Sequence, residues 1–269
     1  MKRQPRMVAC LTSSWVAVAS AMFCHPGAAL AQEVPLSTEL VVQVDHGRAL
    51  SEVADQLEKR FGVVVTYEDA PWVAASDIAD VTQLVIRANG PGKAAPPGPV
   101  LVPRNAVLDF SYPLDPASGR PRDFSALIDA MLASYDAGGN PGQFRVENDG
   151  NFYHLIPARV QAPDSKWRDV APPLSTRIDL PDEERTIDDT LDLVMAQINR
   201  SSEFRVTWGW YPLNLFVHTK VRFAANGVPA RDVIRGLLRL VPNRMTWRLN
   251  FDPMDRFYAL SFVGLPGSN

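Results

Sequence analysis

The sequence is poor in the residues that carry most enzyme chemistry. Its 269 residues include only two cysteines and four histidines. Both cysteines, Cys10 and Cys24, fall in the first 31 residues, which have the pattern of a cleaved secretory signal. Lys2, Arg3 and Arg6 form a basic start, a mostly apolar run follows from Met7 to Phe23, and Ala29-Leu30-Ala31 supplies a small-residue site before Gln32. A membrane anchor is the competing expectation, but Thr12, Ser13, Ser14 and Ser20 interrupt a run already short for a bilayer. A lipid anchor on Cys24 is disfavoured by the bulky Phe23 before it. Cleavage near Ala31-Gln32 leaves a mature chain without cysteine, which excludes disulfides, thiolate metal sites and cysteine nucleophiles together. Export without disulfides fits the periplasm of a diderm bacterium. Later segments never stay apolar for the roughly 18 residues a spanning helix needs, so the mature chain is expected to be soluble, with no transmembrane segment after signal cleavage.

Excess positive charge is also missing. The chain has 27 Lys/Arg against 30 Asp/Glu, a formal charge of −3. Loss of Lys2, Arg3 and Arg6 with the signal leaves 24 against 30, or −6. An acidic exported protein is a poor nucleic-acid binder, because that binding rests on cationic surface. Catalytic patterns are absent too. His25 leaves with the signal, and His46, His154 and His218 lie far apart, with no H-E-x-x-H spacing. There is no G-x-S-x-G elbow, P-loop or G-x-G-x-x-G. The expectation is a non-enzyme with no cofactor and no metal. The competing case, a hydrolase assembled in space, needs His154 or His218 beside a serine and a carboxylate.

What the sequence does have is a repeated unit. Helical periodicity occurs four times, each time between extended apolar runs. The first unit is a strand at Leu40–Val44, a helix over 49–61 with Leu50, Val53, Leu57 and Phe61 on one face, a C-cap at Gly62, and a strand over 63–67. The second is a strand over 107–112, a helix over 123–135, and strands over 143–146 and 152–156 joined by Asn148-Asp149-Gly150, a hairpin signal. A third unit has a strand over 176–180, a helix over 187–199 capped by Thr186 with Asp189, and a strand over 204–208. The fourth has a strand beginning at Val221, the turn Asn226-Gly227-Val228-Pro229, a helix from Ala230, and a hairpin over 245–262. Units two and four alone end in a hairpin, so the period is a pair, β-α-β then β-α-β-β, written twice. The expected fold is therefore α+β, two small β-α-β-β-α-β-β domains in tandem, each with helices packed on a mixed or antiparallel sheet. They occupy 32–160, with a proline-rich insertion at about 89–105, and 175–265. A linker over 161–174 joins them, and 266–269 forms a tail.

This order resembles the short N-terminal domain of secretins and TonB-dependent receptors. In the second half Arg177-Ile178-Asp179-Leu180-Pro181 is similar to that family's opening strand, and Thr186-Ile187-Asp188-Asp189-Thr190-Leu191 to its first helix start. Asn226-Gly227-Val228-Pro229-Ala230-Arg231-Asp232-Val233-Ile234 resembles its turn into the second helix. In the first half the match is thinner, mostly 47–67 and 123–156. No barrel or plug segment follows the second module within the 269 residues. The resemblance implies a module that contacts other cell-envelope proteins through helix faces and sheet edges, and a homo-oligomer is open to it by the same surfaces.

Two stretches stand out as interaction candidates. Arg231, Arg235 and Arg239 repeat every four residues, opposite an apolar arc of about 140° formed by Val233, Ile234, Leu237, Leu238 and Val241. The stripe is expected to be the solvated face of a packed helix, with Asp232 beside Arg235, or else a surface for an anionic protein partner. The acidic start of the third-unit helix, Asp188, Asp189 and Asp192, favours the helix dipole and has no calcium-loop spacing. Trp208, Trp210 and Tyr211 crowd the end of a strand, with Phe216 shortly after. They are either core or an exposed aromatic platform, and the platform carries the alternative function, a soluble binder of a small molecule or glycan using 208–216.

Overall fold

The computed structural model describes residues 38–90 and 93–265. The expected signal peptide and the 266–269 tail lie outside the described residues. The first half opens with β1 (Glu39–His46), whose Leu40, Val42 and Val44 alternate inward, and α1 (Ala49–Phe61). Gly62 ends α1 in the left-handed region, φ 65°, and its N–H donates to the Glu58 carbonyl, as a C-cap glycine should. β2 (Val64–Glu68) follows and is buried along its whole length. An excursion then carries β3 (Ile78–Asp80), α2 (Thr82–Asn89) and β4 (Leu101–Pro103) before β5 (Ala106–Pro113). α3 (Phe124–Ala137) starts at Asp123, whose carboxylate accepts from the Ser125 and Ala126 amides. The half ends in the hairpin β6 (Gln143–Asp149) and β7 (Phe152–Gln161), turning at Gly150, φ 62°.

After β8 (Trp167–Asp169), the second half runs β9 (Arg177–Thr186), α4 (Ile187–Ser201), β10 (Arg205–Trp208), α5 (Leu213–His218), β11 (Lys220–Pro229), α6 (Ala230–Leu238), β12 (Met245–Asp252) and β13 (Phe257–Gly264). The expected cap of α4 forms: the Thr186 hydroxyl accepts from the Asp189 amide at 3.0 Å and donates to its carboxylate at 2.6 Å. Strand pairing is the same in both halves. β1 pairs β5 antiparallel as β9 pairs β11, β2 pairs β7 parallel as β10 pairs β13, and β6 pairs β7 antiparallel as β12 pairs β13. The fold is thus mixed α+β, and its described residues belong to one compact unit.

What joins the halves is a parallel pairing of β12 with β2, which makes a single sheet in the order β10-β13-β12-β2-β7-β6, with β8 alongside β7. Side-chain alternation gives the consequence. In β2, Tyr67 stacks on Phe144 beside α3, whereas Glu68 meets Arg231 of α6 on the other face. Arg248 of β12, paired in register with Tyr67, turns toward Glu58 of α1, while its neighbour Trp247 is buried against His154 from the opposite face. Helices α1 and α3 therefore lie on one face of the joined sheet and α6 lies on the other. Each half hangs a helix over the outer face of its neighbour.

Three segments depart from the expectation. The insertion is wider than 89–105 and is built, with β3 paired to β4 and the Val100 amide donating to Thr82 Oγ1 at 2.8 Å. Residues 161–174 are not a free connector: β8 pairs with β7, and Leu174 is fully buried. The turn at 226–229 continues β11 through a register shift, and 213–218 form the short helix α5, where six residues are too few to carry a helical period and the sequence predicts no element.

Candidate interaction surface

The arginine stripe is spent inside the molecule. Arg231 is 4% exposed and clamps Glu68 of β2 with two bonds, Nε to Oε1 at 2.6 Å and Nη2 to Oε2 at 3.0 Å. A third contact, 3.4 Å, runs from Nη1 to Glu147 of β6. Burial alone would lower the pKa of the Arg231 guanidinium, but the Glu68 carboxylate outweighs it and holds the pKa above the ordinary value. Arg235 and Arg239 both reach Asp149 at 3.0 Å, Arg235 also pairs with Asp232, and Arg239 lies over the Phe152 ring. The expected wet face is therefore corrected for Arg231. Its anionic partners are the outer face of the first half, 84 to 163 residues away in sequence, where no local pattern could reveal them.

On the opposite face stands a second cluster of the same kind. Arg248 is 6% exposed and reaches Asp55 and Glu58 of α1, the latter at 2.8 Å. Its Nη1 also donates to the Val65 carbonyl at 2.8 Å, while Glu58 accepts from the Val65 amide at 2.8 Å. Burial raises the Glu58 pKa although Arg248 pulls it down. Beyond β2, Asp69 accepts from the Phe251 amide and from Arg48 Nε, both at 2.7 Å. Neither Arg248 nor Glu58 stood out in the sequence, since both sit in amphipathic positions that read as ordinary surface.

His154 lies on the Arg231 face of the sheet, near Arg231, Arg235 and Arg239. It is buried, its Nδ1 is 2.8 Å from Thr66 Oγ1, and its ring stacks on Trp247 with centroids 5.2 Å apart. Burial first, then Arg231 and Arg235, push its pKa down to about 3. His46 accepts from the Arg48 amide at 3.1 Å on the surface. Among the described residues no group of three or more His, Cys, Asp or Glu could hold a metal ion, and no helix is long and apolar enough to cross a membrane.

The aromatic stretch divides. Phe216, on α5, is fully buried and meets Phe262 edge to face, which corrects its place on an exposed platform. Trp208 and Tyr211 pack at a tilt, ring centroids 5.3 Å apart, against the same core, and Trp208 Nε1 donates to Asp192 of the acidic helix at 3.1 Å. Trp210, 64% exposed, is the one large aromatic of the stretch left open. Alternation does not hold there because the chain leaves β10 at Gly209, whose amide still donates to Leu260.

Two edges of the joined sheet remain, and they differ. β10 is closed at its centre: Asn199 of α4 donates to the Val206 carbonyl at 2.8 Å and accepts from its amide at 2.7 Å. β6, at the other end, is open. Val146 sits where Leu249 sits in β12, each opposite the β7 or β13 residue that pairs with the parallel strand. Leu249 turns its carbonyl to the Asp69 amide in the joint, but no described residue bonds the matching groups of Val146. Comparison of the chain with protein families, with curated proteins and with solved structures gives no match.

Proposed function

We propose that this protein is an exported, periplasmic, non-enzymatic adaptor, built from two tandem modules similar to the short N-terminal domain of secretins and TonB-dependent receptors, and that it binds other cell-envelope proteins through its sheet edges. The observation that carries this reading is the joint itself. The two halves repeat one set of strand pairings and are held by edge-to-edge addition of β12 to β2. A module that adds to its sibling in this way is suited to add to another protein's sheet, since main-chain hydrogen bonds supply affinity and flanking side chains supply choice. Cross-linking mass spectrometry in the native host tests it. Envelope proteins cross-linked to residues near β6 support the reading. Their absence, in cells where established envelope complexes do cross-link, overturns it.

A further inference from the structure

The joint between the halves specifies what its open counterpart should accept. In the joint, Arg248 stands one residue before Leu249, and its guanidinium is received by Asp55 and Glu58 on the helix that precedes β2. One residue before Val146, in the same register of β6, stands Arg145. Its side chain is 46% exposed, and its partner is Glu147 on the same strand, 2.8 Å away and equally exposed. Such a surface pair, screened by water, is held weakly and exchanges readily for a better acceptor. Open backbone groups at Val146 and an exposed arginine beside them, paired within its own strand, thus repeat half of a joint whose other half is a parallel strand led by an acidic helix.

We infer that β6 is a docking edge for a parallel strand of another protein, one whose preceding helix presents carboxylates to Arg145. This deepens, and rests on, the adaptor reading above. A second copy of this chain does not qualify. The strand it would offer is β10, the counterpart of β2, and there Ala196 and Asn199 occupy the places of Asp55 and Glu58. Asn199, seven residues before Val206 as Glu58 is seven before Val65, spends its amide on that strand's own backbone. The joint relates unlike edges, so its repetition between copies would be open-ended. Loss of the acceptors on β10 blocks that growth while leaving β6 available.

The same logic supplies a test that needs no knowledge of the natural partner. The double variant Ala196→Asp with Asn199→Glu gives the helix before β10 the two carboxylates that Asp55 and Glu58 supply before β2, with both changes on exposed positions of α4. Sedimentation of the purified full chain should find the wild type monomeric. The variant should form head-to-tail oligomers, its mean mass rising at least about threefold over a hundredfold rise in concentration. Adding Arg145→Glu should return it to monomer with an unchanged thermal melt. A double variant that melts like the wild type and stays monomeric overturns the inference, as does a wild type that self-associates through Arg145. Should the double variant fail to fold, Ala196→Lys with Asn199→Lys and Arg145→Glu tests the same joint with signs reversed, and a folded monomer there also overturns it. Oligomers from the variant beside an empty cross-linking survey would uphold the edge and retire the adaptor reading.

Discussion

Arg231 Nε lies 2.6 Å from Glu68 Oε1, and neither side chain is more than 4% exposed. This pair ties α6 of the second half to β2 of the first across 163 residues. Removing one member strands the other as an uncompensated buried charge, which costs about 3–5 kcal/mol, whereas replacing both with apolar residues is often neutral or better. Arg231→Ala should therefore lower the urea midpoint strongly, and Arg231→Met with Glu68→Leu should recover most of the loss. An Arg231→Ala midpoint within about 1 kcal/mol of the wild type would mean that the pair does not hold the halves together.

The local signals in the sequence were good and the long-range ones were silent, and the same helix displays both. Thr186 with Asp189 and the glycine after α1 act over a few residues, so their patterns predict their structures. The apolar arc of α6 likewise identified Val233, Ile234, Leu237 and Leu238 as core. The arginines opposite that arc looked solvated because a period records only which face is apolar, not what lies over the other one. Their acceptors, Glu68, Glu147 and Asp149, sit on strands of the other half. The pairing of β12 with β2 was equally hidden, since parallel register depends on neither turn nor spacing. The Arg145 edge became visible only by comparison of the two halves.

His154 should make the molecule acid-sensitive. Its pKa is about 3 in the folded chain against an ordinary 6.5, so between these values the unfolded chain binds a proton that the folded one refuses. Above pH 6.5 the group is neutral in both states and contributes nothing. As pH falls toward 3 the site costs about 1.4 kcal/mol per unit. His154→Gln removes this slope, and the variant should gain on the wild type in urea titrations repeated from pH 7 to pH 4. Parallel stability curves for the two proteins would show that the imidazole is protonated without penalty, through local opening of the seam.

Closure of β10 by Asn199 predicts two separable effects. Asn199→Ala removes both bonds to Val206 and should destabilise by about 1–3 kcal/mol. It also exposes the edge at its centre, so light scattering at high concentration should rise relative to the wild type. Asn199→Asp keeps the bond from the Val206 amide and loses only the donor, so its effect on both measurements should fall between. A variant with lower stability and unchanged scattering would assign Asn199 to stability alone.

The proline-rich segment is held by a close backbone approach, and two glycines report on it from opposite ends. At Gly47 an added Cβ would lie 2.7 Å from the Pro103 carbonyl oxygen, which is main chain and cannot rotate away. Gly47→Ala must push β4 off the turn between β1 and α1, at a cost of about 1–3 kcal/mol by analogy with overpacked cores. At Gly98, within the same segment, nothing lies within 4 Å of the added carbon, and its φ is not in the left-handed region. There Ala restricts the unfolded chain without strain and should be neutral or stabilising by up to about 1 kcal/mol. Thermal melts of the two variants should therefore shift in opposite senses or differ by several degrees. Equal melts would mean that Pro103 does not rest on Gly47 in solution, and that β3 and β4 are tied to the body by their own pairing alone.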